Sequence, residues 1–206
     1  MMLSLFKDNN AGYPAGGSLN FVLRVVNKYQ ELGGTLSAGK RVKKILIEEG
    51  KAVGAELDDG TIHKSDYVIA ACDLHTVIYD MLDGKYIPED IKNAFENWPL
   101  LKPLVQVSFG IKKEIKEKQM MNNYLVPAKI GATEIDSYIK YTGVYRAAYE
   151  GFMPTKSNTN KIISPIIKEL DNFILAGQWL FPGGGLPPSA LSGKWAIEVF
   201  YKKEKS

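Results

Sequence analysis

Apolar residues change their spacing along this chain, and each change marks an element. Over residues 19–32, Leu19, Val22, Leu23, Val26 and Tyr29 recur at helical spacing. Ser18 stands at the N-cap position, and Gly33 and Gly34 supply the stop. Ahead of this helix, Gly12, Pro14, Gly16 and Gly17 make a loop that ends in two glycines. Residues 41–48 then carry Val42, Ile45, Leu46 and Ile47, the content of a strand, and Glu49–Gly50–Lys51 reads as a turn. Residues 52–57 predict a second strand, Asp58–Asp59–Gly60 a hairpin turn, and residues 61–64 a continuation. Polar and apolar positions alternate through this block, so an antiparallel meander with one wet face is expected. Residues 66–71, centred on Tyr67, Val68 and Ile69, predict a buried strand of parallel type leading into Cys72 and Asp73.

Helical spacing returns over residues 74–82, with Asp73 as N-cap and Asp83–Gly84 as the stop. Pro88–Glu89–Asp90 opens another helix over 91–98, and Pro99 and Pro103 bracket a break. A strand is expected at 104–111, a solvated charge run at 112–118 and a short strand at 124–127. The aromatic-rich stretch 133–149 follows no single period. Near the C-terminus, residues 173–176 form an apolar run of buried-strand type, followed by Gly183, Gly184 and Gly185. Pro187 and Pro188 suit a first helical turn, and Leu191, Trp195, Ala196, Val199 and Phe200 then recur at helical spacing. A strand, a glycine loop and a helix start allow a flat or anionic ligand to approach the backbone. The same pattern also serves as a plain tight turn.

Composition adds bounds. The 206 residues are 45% hydrophobic and 24% charged, with net charge +3 spread along the chain, which fits an ordinary globular protein and gives no nucleic-acid signature. One cysteine excludes an internal disulfide and a multi-cysteine metal site. No apolar run is long enough to span a bilayer, and the first residues lack the regions of a signal peptide.

Chemistry candidates are few. His75 and Asp73 lie two positions apart and would not share a helical face, and no G-x-S-x-G is present, so a hydrolase triad is not supported. His63 falls in a hairpin and reads as a surface residue. Cys72 follows a buried strand and reads as a small core residue. No metal-ligand spacing, Walker loop or G-x-G-x-x-G occurs.

The order of the pieces nevertheless resembles one family. Pro14–Ala15–Gly16–Gly17 before a helix, Glu31–Leu32–Gly33–Gly34–Thr35, Val42 with Ile45, the run Ala52 to Gly60, and Asp66 to Asp73 are similar to the middle of the phytoene desaturase and carotenoid isomerase group of FAD-dependent oxidoreductases, relatives of the amine oxidases. Leu175–Ala176–Gly177–Gln178–Trp179, Pro182–Gly183–Gly184–Gly185–Leu186–Pro187 and Ser192–Gly193–Lys194 resemble that group's C-terminal flavin-binding signature.

The resemblance implies a mixed α/β (α+β) fold. It would be a partial FAD-binding domain of the glutathione-reductase-like two-domain flavoprotein type, with an antiparallel β-meander and a remnant of a substrate domain. Residues 1–73 would form the partial FAD-binding domain, 74–152 a shortened substrate-domain-like region, and 153–206 the C-terminal FAD-binding strand, loop and helix. The backbone at Val42 would pass the adenine, and the Gly177 turn with Gln178 would lie along the ribityl and pyrophosphate. Gly184, Gly185, Leu186 and Pro187 would open the helix facing the flavin's pyrimidine edge, while Gly16 and Gly17 would border the substrate side. The family reaction moves hydride equivalents from a long apolar polyene or related substrate to FAD. No catalytic acid or base stands out.

Two departures qualify this. The N-terminal βαβ unit with its glycine fingerprint is missing, and the stretch around 126–132 is short for the family. The chain is therefore expected to be weak or inactive alone. Two alternatives stay open: an interaction module that kept the scaffold but lost FAD, and one half of a split enzyme whose partner chain carries the fingerprint. Apolar surface left uncovered would favour self-association. A cytoplasmic protein is expected, with peripheral membrane contact following from the substrate class alone.

Overall fold

The computed structural model describes residues 15–103, 112 and 132–205. The strands expected at 104–111 and 124–127, and the charge run apart from Lys112, lie outside these residues. The chain divides into two compact units, Met1–Arg41 and Val42–Ser206.

The first unit holds helix α1, Gly17–Glu31. Gly16 (φ 84°) and Gly17 (φ 79°) both take the left-handed region at its start, a conformation that strongly favours glycine. Gly16 is the N-cap, and Ser18, expected there, lies one turn position inside the helix. The glycine pair turns the chain before Ser18 can cap it. At the other end Gly34 N–H donates to Tyr29 O at 3.0 Å, so the glycine stop forms as expected. None of the residues of α1 is buried.

The second unit opens with an antiparallel meander, β1 (Val42–Glu48), β2 (Lys51–Leu57) and β3 (Ile62–Lys64). Glu49 and Gly50 both have positive φ, which gives the turn the twist of the strands it joins. Gly54 is required by close approach: a Cβ there would sit 2.0 Å from His63 O on β3. His63 itself is exposed, as expected.

Strand β4 (Val68–Ala70) then pairs in parallel with β5 (Phe173–Leu175), register Ile69 to Ile174. A parallel pair needs a long crossover, here residues 71–172. Alternation along β5 explains why both faces are covered. Phe173 and Leu175 point into the main core with Val77, Ile78, Ile91 and Phe152. Ile174 and Ala176 point the other way, into a smaller cluster with Ala196 and Phe200 of helix α4 (Leu186–Glu204). Fully burying one such side chain is worth about 1.5–3 kcal/mol, so the pair is fixed from both sides. The Asn172 carboxamide ties this sheet to the meander, accepting from Ala52 N–H and donating to Ala52 O, both at 2.7 Å, and to Asp66 O.

The crossover carries the rest of the core. Asp73 caps the turn after β4 as expected, accepting from Thr76 N–H at 2.9 Å. The segment it caps departs from the expected α-helix: Thr76–Met81 is wound as a π-helix, with Val77, Ile78 and Met81 buried. Helix α2 (Glu89–Asn97) follows Pro88, with Glu89 and Asp90 in its first turn. The stretch without a clear period resolves into helix α3 (Ala132–Thr142) and a 3-10 turn, Tyr145–Ala147. Phe152 and Trp179 meet edge to face at 5.2 Å, with the Phe95 ring beside both.

Candidate functional site

The parallel strands β4 and β5 end side by side, and the chain leaves both in the same direction. A cleft of about 400 Å³ opens there. Its floor is Ala71, Cys72 and Asp73 after β4, and Ala176, Gly177 and Gln178 after β5. Ser189 and Gly193 of α4 form one wall, and Thr142 and Val144 form the other. The crevice outside the carboxyl ends of parallel strands is where open α/β sheets bind ligands. A larger groove, about 600 Å³, lies at the amino ends of the same strands, between Asp66 and Asp171 and the lysines Lys51 and Lys203. Its central polar group, Asn172, is consumed in holding β2 to β4, and Lys203 donates to Asp171 O, so that groove reads as a seam between elements.

Gly177 shapes the floor. Its φ is 104°, and a Cβ would press on Ala71 O at 3.0 Å, so the turn brings the exits of the two strands together. A serine latches it to the helix. The Ser192 hydroxyl, fully buried on α4, accepts the Gly177 N–H at 2.8 Å and donates to Ser189 O at 2.8 Å. Gln178 is held by its Nε2, which donates to Tyr149 O at 2.8 Å. On the wall, Gly193 sits inside a helix with nothing within 4 Å of where its Cβ would be. A helix interior disfavours glycine. Here the missing side chain leaves backbone open to the cleft, a cradle that a larger residue would fill.

Asp73 fastens the opposite wall. While Oδ1 caps Thr76, its Oδ2 accepts Tyr145 N–H at 3.0 Å, and the carboxylate is buried. The Tyr145 ring stacks on His75 at 3.8 Å, nearly parallel, beside Phe95 and Tyr79. His75 is thus engaged in an aromatic stack. Burial pushes its imidazole below the ordinary value; Asp73 and Asp80 oppose this and the Arg146 charge adds to it. Cys72 was expected in the core; the residue is instead exposed, because the floor it belongs to begins where β4 stops. Desolvation by its neighbours pushes the thiol's pKa up, its own backbone amide opposes this, and the Asp73 charge adds to the rise.

Of the residues expected to meet a cofactor, Gly177 and Gln178 line the cleft. Gly184, Gly185, Leu186 and Pro187 stand at the head of α4, outside its lining. Gly184 lies against Glu150 O, which a Cβ would meet at 2.2 Å, whereas Gly185 has open space and a φ of 93°. Val42 opens β1, paired with Leu57, and packs on the main core. Gly16 and Gly17 belong to the other compact unit. Cys72 and the second oxygen of Asp73 were not singled out for this site from sequence, whereas Ser192 and Gly193 belong to the stretch that resembles the flavin-binding signature, without individual roles. Their roles depend on partners brought in from elsewhere in the chain.

A flavin fits this donor set in part. The cleft is lined mainly by small and apolar residues, suited to a flat ring and an uncharged chain. Among the described residues lining it, none carries a positive charge for a pyrophosphate. Among the described residues there is also no cluster of acidic, histidine or cysteine side chains that would hold a metal, and no helix long and apolar enough to cross a membrane.

Comparison with known families gives a match to the model of flavin-containing amine oxidoreductases over residues 2–159. No curated protein matches the chain. The matched stretch includes α1, the meander, β4 and Cys72–Asp73. Strand β5 and helix α4, which complete the cleft, lie beyond it.

Proposed function

Because the chain belongs to the flavin-containing amine oxidoreductase family, we propose that its cleft at the carboxyl ends of β4 and β5 is the flavin side of an FAD-dependent oxidoreductase, one that acts on an apolar polyene-type substrate in the manner of phytoene dehydrogenases. The observation that carries this reading is the cradle itself: Gly177 fixed by Ser192, Gly193 left bare, and an apolar floor between two parallel strand exits. FAD, when bound, supplies the two-electron acceptor. Among this chain's residues, Gly177, Gln178 and Gly193 would contact it. Ser192 and Asp73 would hold the walls, and Gly184, Gly185, Leu186 and Pro187 would set the head of α4 nearby. The polyene specificity rests on the sequence resemblance and is the finer part of the proposal.

A second reading, that the chain is half of a split enzyme, is favoured by a separate observation. Among the described residues, β4 has β5 on one side and no paired strand on the other. Ile69 is partly exposed on the sheet face that carries α4, beside a small groove lined by Tyr67, Ile197, Phe200 and Tyr201. Open parallel edges invite a further strand, such as that of a unit bearing the glycine fingerprint.

An FAD titration followed by flavin fluorescence tests the first reading. Saturable binding by the isolated chain supports it. A chain folded by circular dichroism that binds no flavin overturns it, and flavin bound only after mixing with a fingerprint-bearing chain supports the second.

A further inference from the structure

We infer that residues 144–146 form a flap pinned by the stacking of Tyr145 on a neutral His75, and that protonation of the imidazole releases it. This stands apart from the flavin reading and holds whatever the neighbouring cleft binds.

The pin is a cage of rings. Tyr145 stacks on His75 at 3.8 Å with 6° between the planes, Tyr79 lies at 4.5 Å, and Phe95 of α2 meets the imidazole edge to face at 5.3 Å. The flap is loaded against this pin. Arg146 (φ 50°) and Ala147 (φ 55°) follow one another in the left-handed region, which costs a residue with a Cβ roughly 1–2 kcal/mol. Such backbone persists only where its surroundings enforce it. Gly143 (φ 69°), with open space around it, gives a hinge at one end, and the buried Ala147 and Ala148 anchor the other. Between them, Tyr145 is held by its ring and by its N–H, which donates to Asp73 Oδ2 at 3.0 Å.

A neutral imidazole suits this cage and a charged one does not, for two reasons. The rings stand where water would solvate an imidazolium. The Arg146 guanidinium already lies 5.1 Å from the Tyr145 ring centre, so protonation sets two cations against one ring. The charges that act on the imidazole are Asp73 and Asp80 of its own segment and Arg146 of the flap, while α2 faces it with the Phe95 ring. The two carboxylates favour the proton, but Asp73 spends its oxygens on Thr76 and Tyr145 N–H, and burial outweighs both charges. The imidazole therefore binds its proton more weakly in the cage than in water. By linkage, the flap stays shut above the ordinary value of 6.5 and opens increasingly as pH falls below it.

Hydrogen exchange of the full chain, read by NMR, tests this. The reporter is the Tyr145 amide, corrected for intrinsic exchange. The reference is the Ala176 amide, which donates to Ala70 O at 2.8 Å where β5 leaves β4. Between about pH 7.5 and about pH 5, Tyr145 protection should fall at least about twofold more than Ala176 protection. His75→Phe keeps a ring against Tyr145 and takes no proton, so it should abolish that difference. A Tyr145 amide that tracks Ala176 in the parent, or a difference that survives in His75→Phe, overturns the inference. Should that variant not fold, the parent decides alone. The difference must begin below about pH 6.5 and level off where the His75 ring signals titrate, with the exposed His63 as the other of the two histidines. A difference that keeps growing after His75 is charged belongs to carboxylates and also overturns it.

Discussion

Gly193 gives the sharpest perturbation, because fold and site should respond to it with opposite sign. It lies inside α4, lacks a positive φ, and offers open space where a Cβ would go. Replacing a helix-interior glycine with alanine removes backbone freedom from the unfolded chain. With no clash to oppose it, Gly193→Ala should stabilise the fold by about 0.5–1 kcal/mol. Gly193→Leu should keep most of that gain, because leucine is also a good helix former, and place a branched side chain in the cleft. Overfilling a fitted cavity costs about 1–3 kcal/mol, so flavin affinity should fall by roughly 5- to 150-fold. Urea denaturation followed by circular dichroism reads the first effect, and flavin titration of the same samples reads the second. If Gly193→Ala destabilised the chain, its open environment would be wrong. If Gly193→Leu were stable and bound flavin as tightly as the parent, the cleft would not be the flavin site.

Two further outcomes follow from the walls of the cleft. Ser192→Ala orphans the buried Gly177 amide, a loss of about 1–3 kcal/mol, while alanine returns about 0.5 kcal/mol of helix propensity. A net destabilisation of about 0.5–2.5 kcal/mol is expected in urea, and a variant as stable as the parent would remove the latch. His75 has its pKa lowered by burial, so it contributes stability that is present above its ordinary value of 6.5 and is lost as pH falls through the depressed one. His75→Phe keeps an aromatic ring against Tyr145 and removes the titration. The loss of urea midpoint on acidification should therefore be smaller in His75→Phe than in the parent, and an unchanged pH profile would assign the effect to other groups.

Local chemistry was legible in the sequence, and long-range geometry was not. The meander could be read because alternation and the Asp58–Asp59–Gly60 turn act within a few residues. Asp73 could be read as a cap because Thr76 lies one turn away. Its second bond reaches Tyr145, 72 residues on, and nothing local announces it. The same holds for Ser192, whose hydroxyl meets Gly177 only because α4 folds back along β5. Cys72 was misjudged for a related reason: a short strand of buried type suggests a buried successor, but the parallel pair ends one residue earlier and the next residues line a cleft. The π-helix at Thr76–Met81 is not legible because its six residues make little more than one turn, too short for apolar spacing to separate i→i+5 from i→i+4 winding. Ser18 failed as a cap because two glycines ahead of it had already made the turn.

The central claim, that flavin sits between the exits of β4 and β5, can be tested through the one cysteine of the chain. Cys72 is exposed on the floor of the cleft, and its thiol is pushed above the ordinary value, so it should react slowly at neutral pH and faster as pH rises. The measurement is the rate of Cys72 modification by a thiol reagent at mildly alkaline pH, with and without saturating riboflavin. Bound flavin should protect the thiol, slowing the rate in proportion to occupancy. Saturable flavin binding with an unchanged rate of Cys72 modification would contradict the account and put the flavin elsewhere on the chain.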